Sequence, residues 1–270
     1  MIDKTHIIKN PELEDCFVRL EPAASFQELY DRYGDDLARW YESGKVILID
    51  NPPFQANTDI LWNVTYPPDD RPIKKMKMRH LLQDYTKNHQ LRKVFGDDVA
   101  EFKKFRAETI RVTDFIWRGL KTMFPKYKIV GDLATWRFAV THTEDLHLDD
   151  YGRENPKHHY LRAFWNADSY PRIWLVGAHR REIAKMANID LPSSDASATN
   201  RILNQFLGKS LGRQPSHTPQ HLVAFKPGAM WIVHSEYVPH SIVFGRRLVG
   251  VSHEVDPRSM ADPKLWFELN

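Results

Sequence analysis

The second half of the chain is a succession of short β-like runs, and this pattern constrains the fold more than any other feature of the sequence. Each run is rich in branched and aromatic residues and is bounded by turn residues. One helical pattern interrupts the runs, at about 179–209. Closely spaced strands joined by turns favour a two-sheet barrel. The predicted strands are 134–143, 158–168, 172–178, 221–226, 230–235, 239–244 and 248–255.

The first half of the chain has mainly helical patterns. A capping box at Ser25 begins an apolar period that predicts a helix over 25–43. A buried strand is predicted over 45–50, and the proline-rich and charged stretch 51–80 is predicted to be a loop. A second, long helix is predicted over 97–124. Together the two halves indicate an α+β protein in which N-terminal helices buttress a jelly-roll core.

The length of 270 residues fits one large barrel domain. We therefore expect a single domain over 1–270, with a helical part at about 1–130 and a β core at about 131–256. The longest apolar runs are far shorter than the roughly 18 residues of a membrane span, and the N-terminus lacks the pattern of a secretory signal. These features predict a cytoplasmic protein. Cys16 is the only cysteine, which excludes an intrachain disulfide and an all-cysteine metal site.

Positive charge is concentrated in one segment of the chain. The net charge of +3 is too small to indicate nucleic-acid binding, and we expect no nucleic-acid partner. Between Arg71 and Lys93, however, 8 basic residues stand against a single acid, Asp84. Two interpretations stay open for this basic segment: a solvated surface, or a patch that attracts an anionic partner such as a phosphorylated lipid headgroup, a nucleic acid or an acidic substrate.

The segment Asp145-Leu146-His147-Leu148-Asp149 follows a predicted strand and carries the sharpest chemical pattern. On an extended backbone, residues two apart point to the same side, so His147 and Asp149 present an imidazole and a carboxylate to one point. These are two of the three ligands of a 2-His-1-carboxylate metal site. A third ligand would come from a late histidine, and His234, His240 and His253 are the candidates. His142, His158 and His159 are interpreted as surface or supporting residues.

The combination of His147, Asp149 and a histidine about 90 residues later resembles the iron-binding set of the Fe(II)/2-oxoglutarate-dependent dioxygenases. That family has a cupin-like core, the double-stranded β-helix. The resemblance favours His240 as the distal ligand, because His240 begins the strand leading to Gly245-Arg246-Arg247, where the family places it. It implies Fe(II), 2-oxoglutarate and O2 as cofactors and co-substrates, with His147, Asp149 and His240 as catalytic metal ligands.

A closer resemblance is to the Kdo (3-deoxy-D-manno-oct-2-ulosonic acid) hydroxylase family. That family has a Leu-His-x-Asp segment, a Leu-Arg-Val-Phe-x-Asn block, an Arg-x-Trp-x-Val-Gly block and a late Val-x-His. The matching segments here are Leu146-His147-Leu148-Asp149, Leu161-Arg162-Ala163-Phe164-Trp165-Asn166, Arg172-Ile173-Trp174-Leu175-Val176-Gly177 and Val238-Pro239-His240. The likeness covers about residues 100–255. This chain departs from it at Asp150-Tyr151-Gly152-Arg153 and by having the pair Arg246-Arg247.

Members of the dioxygenase superfamily hold the far carboxylate of 2-oxoglutarate with a basic side chain, since a guanidinium binds a carboxylate with two hydrogen bonds. Arg162 and the pair Arg246 and Arg247 compete for this role. We favour Arg162, because an arginine between apolar neighbours in a strand is costly to bury without an anion.

The resemblance implies an enzyme that hydroxylates an unactivated C–H bond while 2-oxoglutarate is converted to succinate and CO2. The acceptor would be Kdo in lipopolysaccharide, with Arg137, Arg172 and Trp174 as candidates for the substrate pocket. The substrate is then a small molecule or a glycolipid, and the basic segment predicts peripheral contact with an anionic membrane, the inner membrane in this reading. Alternatives are a hydroxylase of a free amino acid or natural-product precursor, a non-catalytic cupin-type metal-binding protein, and a hydrolytic zinc enzyme.

Overall fold

The computed structural model describes residues 2–64, 76–77, 81–82, 84–138, 143–149, 159–190, 196–208 and 218–262. Twelve strands and seven α-helices lie within these residues. The strands are β1 (His6–Ile8), β2 (Phe17–Arg19), β3 (Val46–Ile49), β4 (Met76–Lys77), β5 (Ile129–Phe138), β6 (Glu144–His147), β7 (His159–Trp165), β8 (Arg172–Gly177), β9 (Gln220–Phe225), β10 (Met230–Ile232), β11 (His240–Phe244) and β12 (Arg247–Val255). The helices are α1 (Phe26–Tyr33), α2 (Asp36–Glu42), α3 (Thr58–Trp62), α4 (His89–Phe95), α5 (Val99–Met123), α6 (Arg180–Ala187) and α7 (Ala196–Phe206).

The strands form two sheets. The first has the order β1-β9-β8-β11-β6 and is antiparallel throughout. The second has the order β2-β3-β10-β7-β12-β5-β4, and only its β2–β3 pair is parallel. The expected α+β class is confirmed. No helix in the described part of the chain has both the length and the apolar character needed to cross a membrane.

Aromatic side chains fill the main core between the sheets and the N-terminal helices. Trp231 stacks on Phe225 with ring centroids 3.8 Å apart, and both rings are fully buried. Phe105 of α5 meets Phe138 of β5 edge to face at 5.1 Å, so the long helix is anchored directly on the second sheet. This confirms the predicted helix over 97–124 as a buttress, with Asp98 capping its first turn through the Glu101 N–H.

The predicted helix over 25–43 is wrong as a single element. It divides into α1 and α2 at Gly34, whose φ of 51° lies in the region that favours glycine. The Gly34 N–H donates to the Tyr30 carbonyl oxygen at 2.6 Å and ends α1. The apolar period did not reveal the break, because Leu29 of α1 and Leu37 of α2 are both buried.

The structure differs from the predicted elements in several further places. The His147 segment follows strand β5, as predicted, but its first three residues also form part of a further strand, β6, that was not predicted. Strands β1 and β2 were not predicted, and the predicted loop over 51–80 contains α3 and β4. The helical pattern at 179–209 forms two helices, α6 and α7. Short strands such as β1 have too few residues to show a period, so only their pairing with another strand defines them.

A second, smaller core holds β6 in place from outside the sheet. Leu146 and Leu148 pack there with side chains of α6 and α7, chiefly Ile183 and Leu203. Asn204 of α7 completes the attachment with two hydrogen bonds to one peptide segment. Its Oδ1 accepts from the Leu148 N–H at 2.7 Å, and its Nδ2 donates to the Leu148 carbonyl oxygen at 2.9 Å. The chain between His147 and Asp149 is therefore fixed to α7.

We expect Asn204→Leu to lower the free energy of unfolding by about 2 kcal/mol or more, because it leaves two buried backbone groups of Leu148 without partners. Urea unfolding followed by circular dichroism measures the change. The matched control is Gln205→Leu on the exposed side of the same helix, which should change stability by less than about 0.5 kcal/mol. Equal effects of the two substitutions would contradict this role of Asn204.

Candidate metal centre

The pairing of β11 with β6 brings two histidines and a carboxylate to one point. His240 lies directly opposite His147 in the antiparallel register, and their ring centroids are 4.7 Å apart. Asp149 follows β6 and is held by its N–H donating to the Ser235 carbonyl oxygen at 2.9 Å. Its carboxylate oxygens lie 3.7 Å from His147 Nε2 and 4.0 Å from His240 Nε2. One atom from each residue lies within 4.8 Å of the other two.

Backbone carbonyls orient both imidazoles of this cluster. His147 Nδ1 lies 2.6 Å from the Asp145 carbonyl oxygen, and His240 Nδ1 lies 3.3 Å from that of Val238. A carbonyl oxygen can only accept, so each Nδ1 carries the proton and each Nε2 presents a lone pair toward Asp149. This arrangement, with a second contact fixing the ring, is typical of metal-ligating histidines.

The charges of the cluster favour a cation. Burial alone would raise the pKa of Asp149, but the Arg162 guanidinium and the imidazoles of His147 and His240 hold it well below its usual range. Burial, with the neighbouring His147 ring, lowers the pKa of His240 to about 3. Asp149 is thus an anion and His240 a neutral imidazole at pH 7. Two imidazole lone pairs and a carboxylate on one side suit a divalent transition metal and leave other coordination positions open.

Arg162 of β7 reaches the cluster from the second sheet. Its guanidinium forms an ion pair with the Asp149 carboxylate and donates to Ser235 Oγ at 3.2 Å. Its Cζ lies 4.4 Å from the centroid of the Phe164 ring, which covers one face of the guanidinium. The side chain therefore places a buried positive charge beside the metal-binding candidates.

Arg246 and Arg247 lie elsewhere and contact Asp168. Arg246 donates to both carboxylate oxygens of Asp168, at 2.6 and 2.8 Å, and stacks on Tyr170. Arg247 donates to Asp168 at 3.3 Å and to the carbonyl oxygens of Val64 and Trp62. These contacts fix the segment after β7, and the structure does not bring the pair to His147 and Asp149.

Two of the three substrate candidates, Arg172 and Trp174, lie on the same side of β8. Trp174 stacks on His240 with ring centroids 4.6 Å apart, so it forms a wall of the cluster. Arg172 is 1% exposed, and none of its guanidinium nitrogens has a hydrogen-bond partner among the described residues. Burial and the nearby Arg137 lower the pKa of Arg172 to about 9, so it remains charged at neutral pH. A Cβ at Gly245 would overlap the Arg172 guanidinium.

Arg137, the third candidate, connects to the cluster through Glu144. Its Nη1 donates to Glu144 Oε2 at 3.2 Å, and Glu144 Oε1 lies 3.9 Å from His147 Nε2. Glu144 did not emerge from the sequence, although it stands three residues before His147 on the same strand. Ser235 and Asn200 were also missed. Asn200 donates to the carbonyl oxygens of Asp149 and Glu236, a contact between distant segments that no local pattern indicates.

The other candidate histidines are placed away from the cluster. His253 is hydrogen-bonded to Asp132 Oδ1 and contacts the Trp117 carbonyl oxygen at 2.9 Å. His234 packs against His159 with ring centroids 4.2 Å apart. Of the two interpretations given to His159, surface residue or supporting residue, the surface interpretation is wrong, because the side chain is completely buried. His142 and His158 lie outside the described residues.

Comparison with known proteins gives a match in structure only. No protein-family model matches the chain, and no curated protein matches its sequence. A structure of "the Kdo hydroxylase KdoO, a non-heme Fe(II) alphaketoglutarate dependent dioxygenase" with alphaketoglutarate and Fe(III) is similar, with a TM-score of 0.69 and 17% identity, over 92% of each chain. The complex of the same protein with succinate and Fe(III) gives a TM-score of 0.67 at 17% identity, over 93% of this chain and 92% of that one. Its cobalt(II) complex gives a TM-score of 0.67 at 16% identity, over 93% of this chain and 92% of that one. The chain thus has the fold of the Kdo hydroxylase KdoO, which confirms the resemblance at the level of the fold.

Proposed function

We propose that the protein is a non-haem Fe(II)/2-oxoglutarate-dependent oxygenase that hydroxylates an unactivated C–H bond. The observation that carries this proposal is the convergence of His147, Asp149 and His240, with oriented imidazoles, in a chain with the fold of KdoO. Bound iron would supply the activation of O2, and 2-oxoglutarate would supply two electrons as it becomes succinate and CO2.

We further propose that the two sheets form a double-stranded β-helix around this site. His147 and His240 come from the first sheet, whereas Arg162 comes from the second and contacts Asp149 between them. Side chains of both sheets therefore face a common interior. In such a core the metal ligands lie beside the part of the first sheet where β11 pairs with both β6 and β8.

Arg162 is proposed to bind the far carboxylate of 2-oxoglutarate. Its charge is buried, it lies beside the ligand set, and Arg246 and Arg247 are engaged by Asp168. A divalent cation bound to Asp149 would neutralise the carboxylate charge that Arg162 neutralises in the present structure. The Arg162 guanidinium would then be able to bind the far carboxylate of 2-oxoglutarate.

The acceptor is proposed to be an acidic sugar of the Kdo type, within lipopolysaccharide. Arg172 supports this proposal, because a buried guanidinium without a hydrogen-bond partner in the described chain is strongly unfavourable until an anion binds it. Trp174, stacked on His240, lies between Arg172 and the metal ligands along β8, and this position supports a role for its ring in binding a sugar. Arg137 adds positive charge near the same position.

Replacing His147, Asp149 or His240 by alanine should abolish both Fe(II) binding and 2-oxoglutarate turnover, because each removes one of three protein ligands. Anaerobic Fe(II) titration and succinate formation measure the two losses, and circular dichroism reports the fold. His6→Ala, at an exposed position, is the control and should behave as the parent protein. A His240→Ala variant with full iron affinity and turnover would exclude His240 as the distal ligand.

Replacing Arg162 by leucine should weaken 2-oxoglutarate binding at least tenfold, since truncating one partner of a buried charge pair costs about 2 to 5 kcal/mol. The affinity is measured at saturating Fe(II), so that any loss of metal does not contribute. Arg246→Leu and Arg247→Leu should leave it within about twofold. The reverse pattern would transfer the role to the arginine pair.

The basic segment Arg71–Lys93 is proposed to bring the enzyme to an anionic membrane surface, where each basic residue contributes about 1 kcal/mol of attraction. Arg71, Lys74, Lys75 and Arg79 of this segment lie outside the described residues. We expect the protein to sediment with anionic vesicles at low salt and to be released as ionic strength rises. Neutralising Lys74, Lys75 and Lys77 should weaken sedimentation without changing Fe(II) affinity. A protein that stays in the supernatant at low salt would favour a soluble acceptor.

A further inference from the structure

A second set of metal-ligating side chains lies apart from His147, Asp149 and His240. His159 begins β7, and His234 and Glu236 belong to the turn between β10 and β11. One atom from each lies within 4.8 Å of the other two. Their side chains are almost completely buried, with exposures of 0%, 0% and 5%. Two imidazoles and a carboxylate are thus brought together in the interior.

His234 has no explanation as an ordinary core residue. It is fully buried, and neither of its ring nitrogens has a hydrogen-bond partner among the described residues. An unmade hydrogen bond at a buried polar group costs about 1 to 3 kcal/mol. The ring is held in position by stacking on Tyr237, with centroids 3.5 Å apart, and on Tyr41 at 5.3 Å. The imidazole is therefore held rigidly, and its nitrogen lone pair accepts no hydrogen bond from the described residues.

The turn that carries His234 and Glu236 also contacts the first site, that of His147, Asp149 and His240, but through a different residue. Ser235 lies between them. Its carbonyl oxygen accepts a hydrogen bond from the Asp149 N–H, and its hydroxyl accepts one from Arg162. His234 and Glu236 instead belong to the cluster with His159. The two ligand sets therefore contact one turn through different residues and share no side chain.

We infer that His159, His234 and Glu236 form a second divalent metal site with a structural role, of the class that Zn²⁺ occupies. Zinc binds imidazole nitrogen and carboxylate oxygen at about 2 Å in tetrahedral geometry, so the ligand atoms would close from their present separations by up to about 1.5 Å. A metal here would join the start of β7 to the turn before β11. It would thereby fix Ser235, and through Ser235 the backbone of Asp149.

The electrostatics of the site are consistent with a neutral-imidazole donor set. Burial lowers the pKa of His159 to about 3, and burial with the neighbouring His159 holds the pKa of His234 well below its usual range. Both rings are therefore neutral and able to donate a lone pair. Arg180, whose Cζ lies 4.5 Å from the Tyr237 ring centroid, adds a positive charge nearby. The Glu236 carboxylate is thus essential, because it offsets the charge of a cation placed close to Arg180.

The test uses Co²⁺ alone as the probe, on a full-length His147→Ala/Asp149→Ala variant that lacks the first site. We expect this variant to bind one equivalent of Co²⁺ by equilibrium dialysis and to show the visible absorption of a tetrahedral cobalt centre. Adding Glu236→Gln, which preserves size, should weaken that binding at least 100-fold. Adding Glu12→Gln, at an exposed position, should leave it unchanged.

A thermal measurement on the His147→Ala/Asp149→Ala variant keeps the inference testable if the variant that also carries Glu236→Gln fails to fold. Zn²⁺ should raise the Tm of the His147→Ala/Asp149→Ala background, because a ligand that binds only the folded state stabilises it. Absence of any bound Co²⁺ in that background, together with no Zn²⁺-dependent shift in Tm, would overturn the second site. Neither readout depends on iron, 2-oxoglutarate or turnover, so the outcome is independent of the proposed function.

Discussion

The antiparallel pairing of β11 with β6 is the interaction on which the candidate site depends. It sets His240 opposite His147, and a shift of the pairing by one residue would turn His240 to the other face of the sheet. Strand β6 has only four residues, so its own ladder is a weak constraint. The register is supported from outside, by the small core around Leu146 and Leu148 and by the two hydrogen bonds of Asn204. The ligand geometry is thus a product of tertiary packing around a short strand.

Much of this arrangement could be predicted because it follows from local rules. The strands of the β core have alternating or branched patterns, and the two-residue spacing of His147 and Asp149 follows from extended backbone. The choice among His234, His240 and His253 could not be made from local pattern, because all three lie near predicted strands. Strand pairing separates them: His240 faces His147, whereas His253 is hydrogen-bonded to Asp132.

The remaining differences arise where distant segments meet. The complete burial of His159 depends on Tyr41 and His234, which lie far from it in sequence. The engagement of Arg246 and Arg247 by Asp168 likewise joins residues nearly 80 positions apart. A sequence pattern records which residue types are present, but it does not say which buried charges have already found a partner. That distinction separates Arg172, whose guanidinium has no hydrogen-bond partner among the described residues, from the arginine pair.

Gly245 has a consequence for the position of the buried charge of Arg172. The guanidinium of Arg172 occupies the space that a side chain at 245 would fill. The residue type at 245 therefore limits where the Arg172 side chain can lie. An alanine at 245 would require the end of the flexible Arg172 side chain to move out of that space. The position of this buried charge is thus set by a pair of residues, and one added methyl group at 245 would alter the surroundings of Arg172 without changing Arg172 itself.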